Sequence, residues 1–96
     1  MIKRITCIVV GRVQGVLYRD FAKRRADKLG IKGEVENLPD GAARIEAEGA
    51  EESLREFKSA PEQGSAFSKV ESVICEPHEN LLGYKDFKIK RKSLFS

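Results

Sequence analysis

From Lys3 to Val10 apolar positions follow one another at strand spacing, with Ile5, Cys7 and Val9 on one side and Ile8 and Val10 on the other. That reads as a buried strand, and Gly11 ends it. After a loop, Tyr18, Ala22, Ala26 and Leu29 recur at helical spacing, while Lys23, Arg24, Asp27 and Lys28 take the wet side. Gly30 stands where a helix C-cap needs a left-handed residue. Gly33 to Leu38 reads as a short strand with Val35 inward, followed by the turn triplet Pro39-Asp40-Gly41. Ala43 to Glu48 then alternates Ala43, Ile45 and Ala47 with Arg44, Glu46 and Glu48, completing a hairpin.

Gly49 opens a second helix, with Glu51 and Glu52 in the first turn, where the helix dipole favours acids. Leu54 and Phe57 supply its apolar contacts, and Pro61-Glu62-Gln63-Gly64-Ser65 breaks it. Residues from about Phe67 to Glu76 read as a strand through Val70, Val73 and Cys75, whose uneven spacing predicts a bulge. Asp86 to Arg91 alternates Phe87 and Ile89 with charges, and its Lys and Arg content places it at a sheet edge. The order is β-α-β-β-α-β with one added strand. The expected fold class is therefore α+β: a ferredoxin-like sandwich, an antiparallel sheet with one extra edge strand and two helices on one face.

Length and composition narrow this further. A chain of 96 residues suits a single domain over 1–96. Charged residues at 34% and apolar ones at 41% are an ordinary globular balance. No window approaches the roughly 18 to 20 apolar residues of a membrane span, so no membrane partner is expected. Met1-Ile2-Lys3-Arg4 lacks the apolar run of a secretory signal, so a cytoplasmic address is expected. Cys7 and Cys75 have no C-x-x-C partner and no nearby His, which removes zinc and dithiol chemistry. Two reduced, buried thiols are expected, with a bridge between neighbouring strands left open by the spacing.

The net charge of +3 is a mild bias, gathered at Lys23-Arg24-Arg25 with Lys28 and at Lys88 through Lys92. A nucleic-acid binder would carry a stronger basic stripe with interleaved aromatics, so no nucleic-acid partner is expected. Attraction of a small anion fits equally well.

The candidate chemistry sits in Gly11-Arg12-Val13-Gln14-Gly15-Val16-Leu17-Tyr18-Arg19, which joins a strand to a helix. A strand-to-helix turn aims unpaired backbone N–H groups at one point, where the helix dipole adds partial positive charge. Gly15 can curl the chain into an anion nest, and Arg19 can lay a planar fork of donors on phosphate oxygens. An arginine at a helix N-terminus opposes the dipole, which favours an anionic guest; a solvated Arg on a plain connection is the bland alternative. The loop has neither the Lys-Ser/Thr pair of a Walker A loop nor G-x-G-x-x-G, leaving a bare phosphoryl group as the natural guest.

This stretch, from Val9 to Arg19, resembles the first signature of the acylphosphatases, usually written G-x-V-Q-G-V-x-F-R. Gly33-Glu34-Val35-Glu36-Asn37-Leu38-Pro39-Asp40-Gly41 is similar to that family's second signature, and the spacing onward to Gly49 matches as well. The likeness covers nearly the whole chain and ends with Phe87-Lys88-Ile89. It implies metal-independent hydrolysis of small-molecule acyl phosphates to carboxylate and phosphate, with no cofactor; nothing in the sequence suggests more than a monomer. By motif position, the backbone of Gln14, Gly15, Val16, Leu17, Tyr18 and Arg19 and the Arg19 side chain would hold the phosphoryl group. Asn37 would position the attacking water; its bland reading is a turn residue before Pro39.

The chain departs from the family pattern in places. Tyr18 stands where Phe is usual, Glu34 replaces an aromatic, Glu36 a commonly basic residue, and Ala43 a frequent Val. Alternation sets Val35 and Asn37 on one face and Glu34 and Glu36 on the other, so the glutamates are expected to face away from the anion. His78, in a polar stretch far from both motifs, is expected on the surface. Asp20 is expected to stabilise the helix start rather than bind a metal. Two other functions compete. A ferredoxin-like RNA-binding module would need sheet-surface aromatics in a pattern missing here, and a binding-only domain would not need both Arg19 and Asn37.

Overall fold

The computed structural model describes residues 1–91. The first apolar run forms β1 (Ile2–Arg12), and a loop leads to α1 (Tyr18–Leu29). The hairpin is β2 (Lys32–Asn37) and β3 (Ala43–Ala50). Two short helices follow, α2 (Glu51–Phe57) and α3 (Ser59–Gln63), then β4 (Lys69–His78) and β5 (Phe87–Lys90). The sheet order is β4-β1-β3-β2-β5. Each strand-to-strand crossover through helix therefore skips a neighbour, the split β-α-β arrangement of a ferredoxin-like fold. All pairs are antiparallel except β2 with β5, which are parallel. No described helix is long and apolar enough to cross a membrane.

The helices cover one face. Ile5, Cys7, Val9, Val35, Ile45, Ala47 and Phe87 from the strands pack against Tyr18, Ala22, Ala26, Leu54 and Phe57. Burying an aromatic side chain such as Phe57 stabilises the fold by about 2–3 kcal/mol. The second helix breaks earlier than the segment beginning at Pro61 suggested. Pro61 has no N–H to bond back to Phe57, so the chain ends α2 at Phe57 and restarts with Pro61 in the first turn of α3, where that donor is not needed.

The opposite face is open and charged. On that face of β1 Val10 is exposed and Ile8 half-buried, while Arg4 is buried with its partner Glu46. Arg4 donates to Glu46 at 2.8 Å, and Thr6 Oγ1 donates to the same carboxylate. Arg44 donates to Glu36 (2.9 Å), Glu34 (3.0 Å) and Glu46 (2.6 Å). Glu34 and Glu36 thus lie across the sheet from the helices, as their alternation predicted. His78 ends β4 instead of occupying a loop, and its Nε2 lies 2.8 Å from Thr6 Oγ1, far along the sheet from the β1–α1 connection.

The chain between β4 and β5 must cross from one sheet edge to the other. Arg4 ties it at Asn80 through the backbone oxygen and Oδ1, and the Glu48 carboxylate accepts the N–H groups of Leu82, Gly83 and Tyr84. β5 is an edge strand, as its charges predicted, and β4 forms the other edge with Pro77 inside it. The β4 bulge is present as a register shift opposite Val10 and Gly11.

The cysteines correct the expectation of free thiols. Cys7 and Cys75 face each other directly across β1 and β4, on the inward side, and form a disulfide. Directly opposed side chains of an antiparallel pair are close enough to bridge, and sequence spacing carries no information about that pairing.

Candidate active site

The β1–α1 loop starts at the bulge. Gly11 has φ +138°, and a Cβ there would lie 2.1 Å from the Lys69 carbonyl oxygen, so only glycine lets β4 run this close. Val13 then turns into the core. Gly15 adopts φ 72°, and Leu17, which N-caps α1, adopts φ 62° and ψ 23°. Leu17 is the one described non-glycine residue with positive φ, a conformation costing about 1 kcal/mol or more. Left-handed residues at alternate positions roll successive amides to one side, as in an anion nest. None of the N–H groups from Gly15 to Arg19 finds an acceptor among the described residues.

Braces hold this strained loop. Gln14 Nε2 donates to the carbonyls of Leu38 (2.7 Å) and Ala42 (3.0 Å), both in the β2–β3 turn. Ser65 Oγ donates to the Val16 carbonyl at 2.7 Å. Tyr18, fully buried, donates its hydroxyl to the Pro61 carbonyl at 2.9 Å. The hydroxyl that distinguishes it from the usual Phe therefore locks α3 to the start of α1. Burial pushes its pKa well above the ordinary 10.

A cleft of about 300 Å³ opens at the loop, lined by Val13, Gly15, Leu17, Tyr18 and Arg19 together with Ile89 and Arg91 from the end of β5 and just beyond it. Asp20 also reaches it, but its carboxylate holds Arg24 at 3.2 Å. Arg19 is half-buried and forms no ion pair among the described residues. Of the loop residues singled out by sequence, Gln14 and Val16 do not line the cleft. Gln14 is spent on the neighbouring turn, and Val16 packs against the core.

Asn37 ends β2 and pairs with Ala43, which in turn pairs with Val9. It therefore sits at the sheet end from which the loop departs, and Gln14 bonds its neighbour Leu38. Asn37 does not line the cleft itself. Its Oδ1 is buried without a hydrogen-bond partner, the sole such side-chain atom among the described residues. A buried amide oxygen left unpaired costs about 1–3 kcal/mol unless something polar meets it.

Sequence reasoning missed three contributors. Ser65 lay hidden in a segment read only as a breaker. Ile89 and Arg91 reach the cleft through the parallel β2–β5 pairing, which local pattern does not reveal.

Comparison with known proteins agrees with this geometry. The acylphosphatase family model matches residues 5–89. The acylphosphatase of Bacillus licheniformis is 49% identical over 82 residues, 85% of this chain and 91% of that protein. That of Thermus thermophilus is 43% identical over 86 residues, 90% and 97% of the two chains. The crystal structure of the acylphosphatase from Bacillus subtilis superposes with a TM-score of 0.89 at 41% identity, covering 94% of this chain and 99% of that one. With a family match over most of its length and relatives of this closeness, the chain belongs to the acylphosphatase family and is a hydrolase of that type.

Proposed function

We propose that the enzyme hydrolyses small-molecule acyl phosphates with the loop as phosphoryl cradle and Asn37 as water holder. The backbone N–H groups from Gln14 to Arg19 and the Arg19 guanidinium receive the non-bridging phosphoryl oxygens. Asn37 Oδ1 accepts a hydrogen bond from the attacking water. Water oxygen bonds to phosphorus as the bond from phosphorus to the acyl oxygen breaks, and the electron pair leaves with the carboxylate. The water proton passes to phosphate oxygen, since an amide cannot keep it.

The reaction suits these groups. Phosphoryl transfer through a loose transition state needs positioning and charge stabilisation more than covalent help. A carboxylate leaves readily without a proton, so no strong base is required. The observation that carries the reading is the unpartnered Asn37 Oδ1 beside a loop whose amides are themselves unpartnered. Glu34 and Glu36, bound to Arg44 on the far face, leave the anion unopposed.

The reading extends to a single domain over 1–96, monomeric and cytoplasmic, with no nucleic-acid or membrane partner. The test is phosphate release from benzoyl phosphate in EDTA. Wild type is expected to turn over undiminished by the chelator, and Arg19→Ala to lose about 10² to 10³ in kcat/KM. Wild-type activity that vanishes with EDTA, or an Arg19→Ala variant of full activity, contradicts the mechanism.

A further inference from the structure

The parallel pairing of β5 with β2 brings an additional cation to the cleft. Val35 pairs with Ile89 and Glu36 with Lys90, the last pair of the ladder, and Arg91 directly follows β5 as Asn37 follows Glu36 on β2. Paired residues of adjacent strands share a face. Lys90 accordingly points to the open side, within 3.9 Å of Glu34 and Glu36, while Ile89 and Arg91 point to the helix side. There Arg91 lines the same cleft as Arg19 and Gly15, and it too forms no ion pair among the described residues. Asp20, the one acid at the cleft wall, is engaged by Arg24.

We infer that Arg91 is a second phosphoryl-binding residue, donating to oxygens of the phosphoryl group in the cleft it shares with Arg19. Two guanidiniums sharing a cleft repel each other, and a dianion between them reverses the sign of that interaction. A phosphoryl group carries two negative charges and presents oxygens in several directions, which two planar forks can meet where one cannot. The bland alternative is a solvated arginine at the end of an edge strand.

The inference rests on the loop being the phosphoryl site, and the experiment separates the two. Binding of inorganic phosphate is measured by calorimetry for wild type, Arg19→Ala, Arg91→Gln, Arg91→Lys and, as a control on the open face, Lys88→Gln. KM and kcat are then measured with benzoyl phosphate and with a succinyl phosphate that carries a second carboxylate. Arg91→Gln is expected to weaken phosphate binding roughly tenfold, the loss of one or two charge-assisted hydrogen bonds. KM should rise similarly for both substrates, with a smaller fall in kcat. Arg91→Lys should recover part of the loss, and Lys88→Gln should bind phosphate like wild type. Unaltered phosphate affinity in Arg91→Gln, alongside loss in Arg19→Ala, overturns the inference and leaves the loop reading standing. A KM increase confined to succinyl phosphate also overturns it, because Arg91 would then meet the acyl end. Wild type that binds no phosphate overturns both.

Discussion

At the scale of single residues, two side chains carry costs that the site explains. Leu17 is held at φ 62° and is 68% exposed, so neither packing nor burial accounts for it. Its conformation aims the amides that follow. Leu17→Gly adopts this backbone freely and loses only the chain entropy of a glycine, about 0.5–1 kcal/mol, so melting temperature and turnover should both stay close to wild type. Leu17→Val, branched at Cβ, should lose both; thermal melts and phosphate-release rates check the pair. Tyr18 is the second case. Its raised pKa means that the unfolded chain releases the phenolic proton above about pH 10 while the folded chain keeps it. Stability present below pH 10 is therefore lost as pH rises beyond it. Tyr18→Phe should be about 1 kcal/mol less stable at neutral pH, from the lost bond to Pro61, but show a flatter decline above pH 10. An alkaline melting series on both proteins decides it. Motif position singles out Arg19 and Asn37, and the strand-to-helix turn with Gly15 marks the loop as a candidate anion nest. The left-handed Leu17 was not, because nothing in a leucine signals positive φ.

At the scale of elements, local periodicity was a good guide and long-range pairing was not. Alternation found β1, β3 and β5, helical spacing found α1, and the broken rhythm of Val70, Val73 and Cys75 announced the bulge in β4. The α2–α3 break was misplaced by a few residues because a proline perturbs the turn before it as well as its own. What sequence could not supply was which strands are neighbours. That single gap hid the parallel β2–β5 pair, the approach of Arg91 to the cleft, and the disulfide. The disulfide closes a 68-residue separation between an inner strand and an edge strand. Reduction, or Cys75→Ser, should lower unfolding free energy by about 2–4 kcal/mol. Urea titrations with and without reductant measure this, and equal midpoints would mean that the β1–β4 ladder holds unaided.

At the scale of the whole molecule, the two faces of one sheet divide the work. The helix side supplies core, loop and cleft, while the open side ties up its acids in ion pairs and anchors the β4–β5 crossing through Arg4 and Glu48. The crossing sets where β5 begins, and β5 ends at the cleft, so Glu48→Ala should loosen the cleft from the far end of the sheet. The chemistry itself turns on Asn37 and water. The most direct measurement compares turnover of benzoyl phosphate with affinity for inorganic phosphate in Asn37→Ala. A residue that only orients water should lose about 10² to 10³ in kcat while phosphate binds as in wild type. Wild-type kcat in Asn37→Ala, or a loss of turnover matched by an equal loss of phosphate affinity, would rule out Asn37 as the residue that orients water.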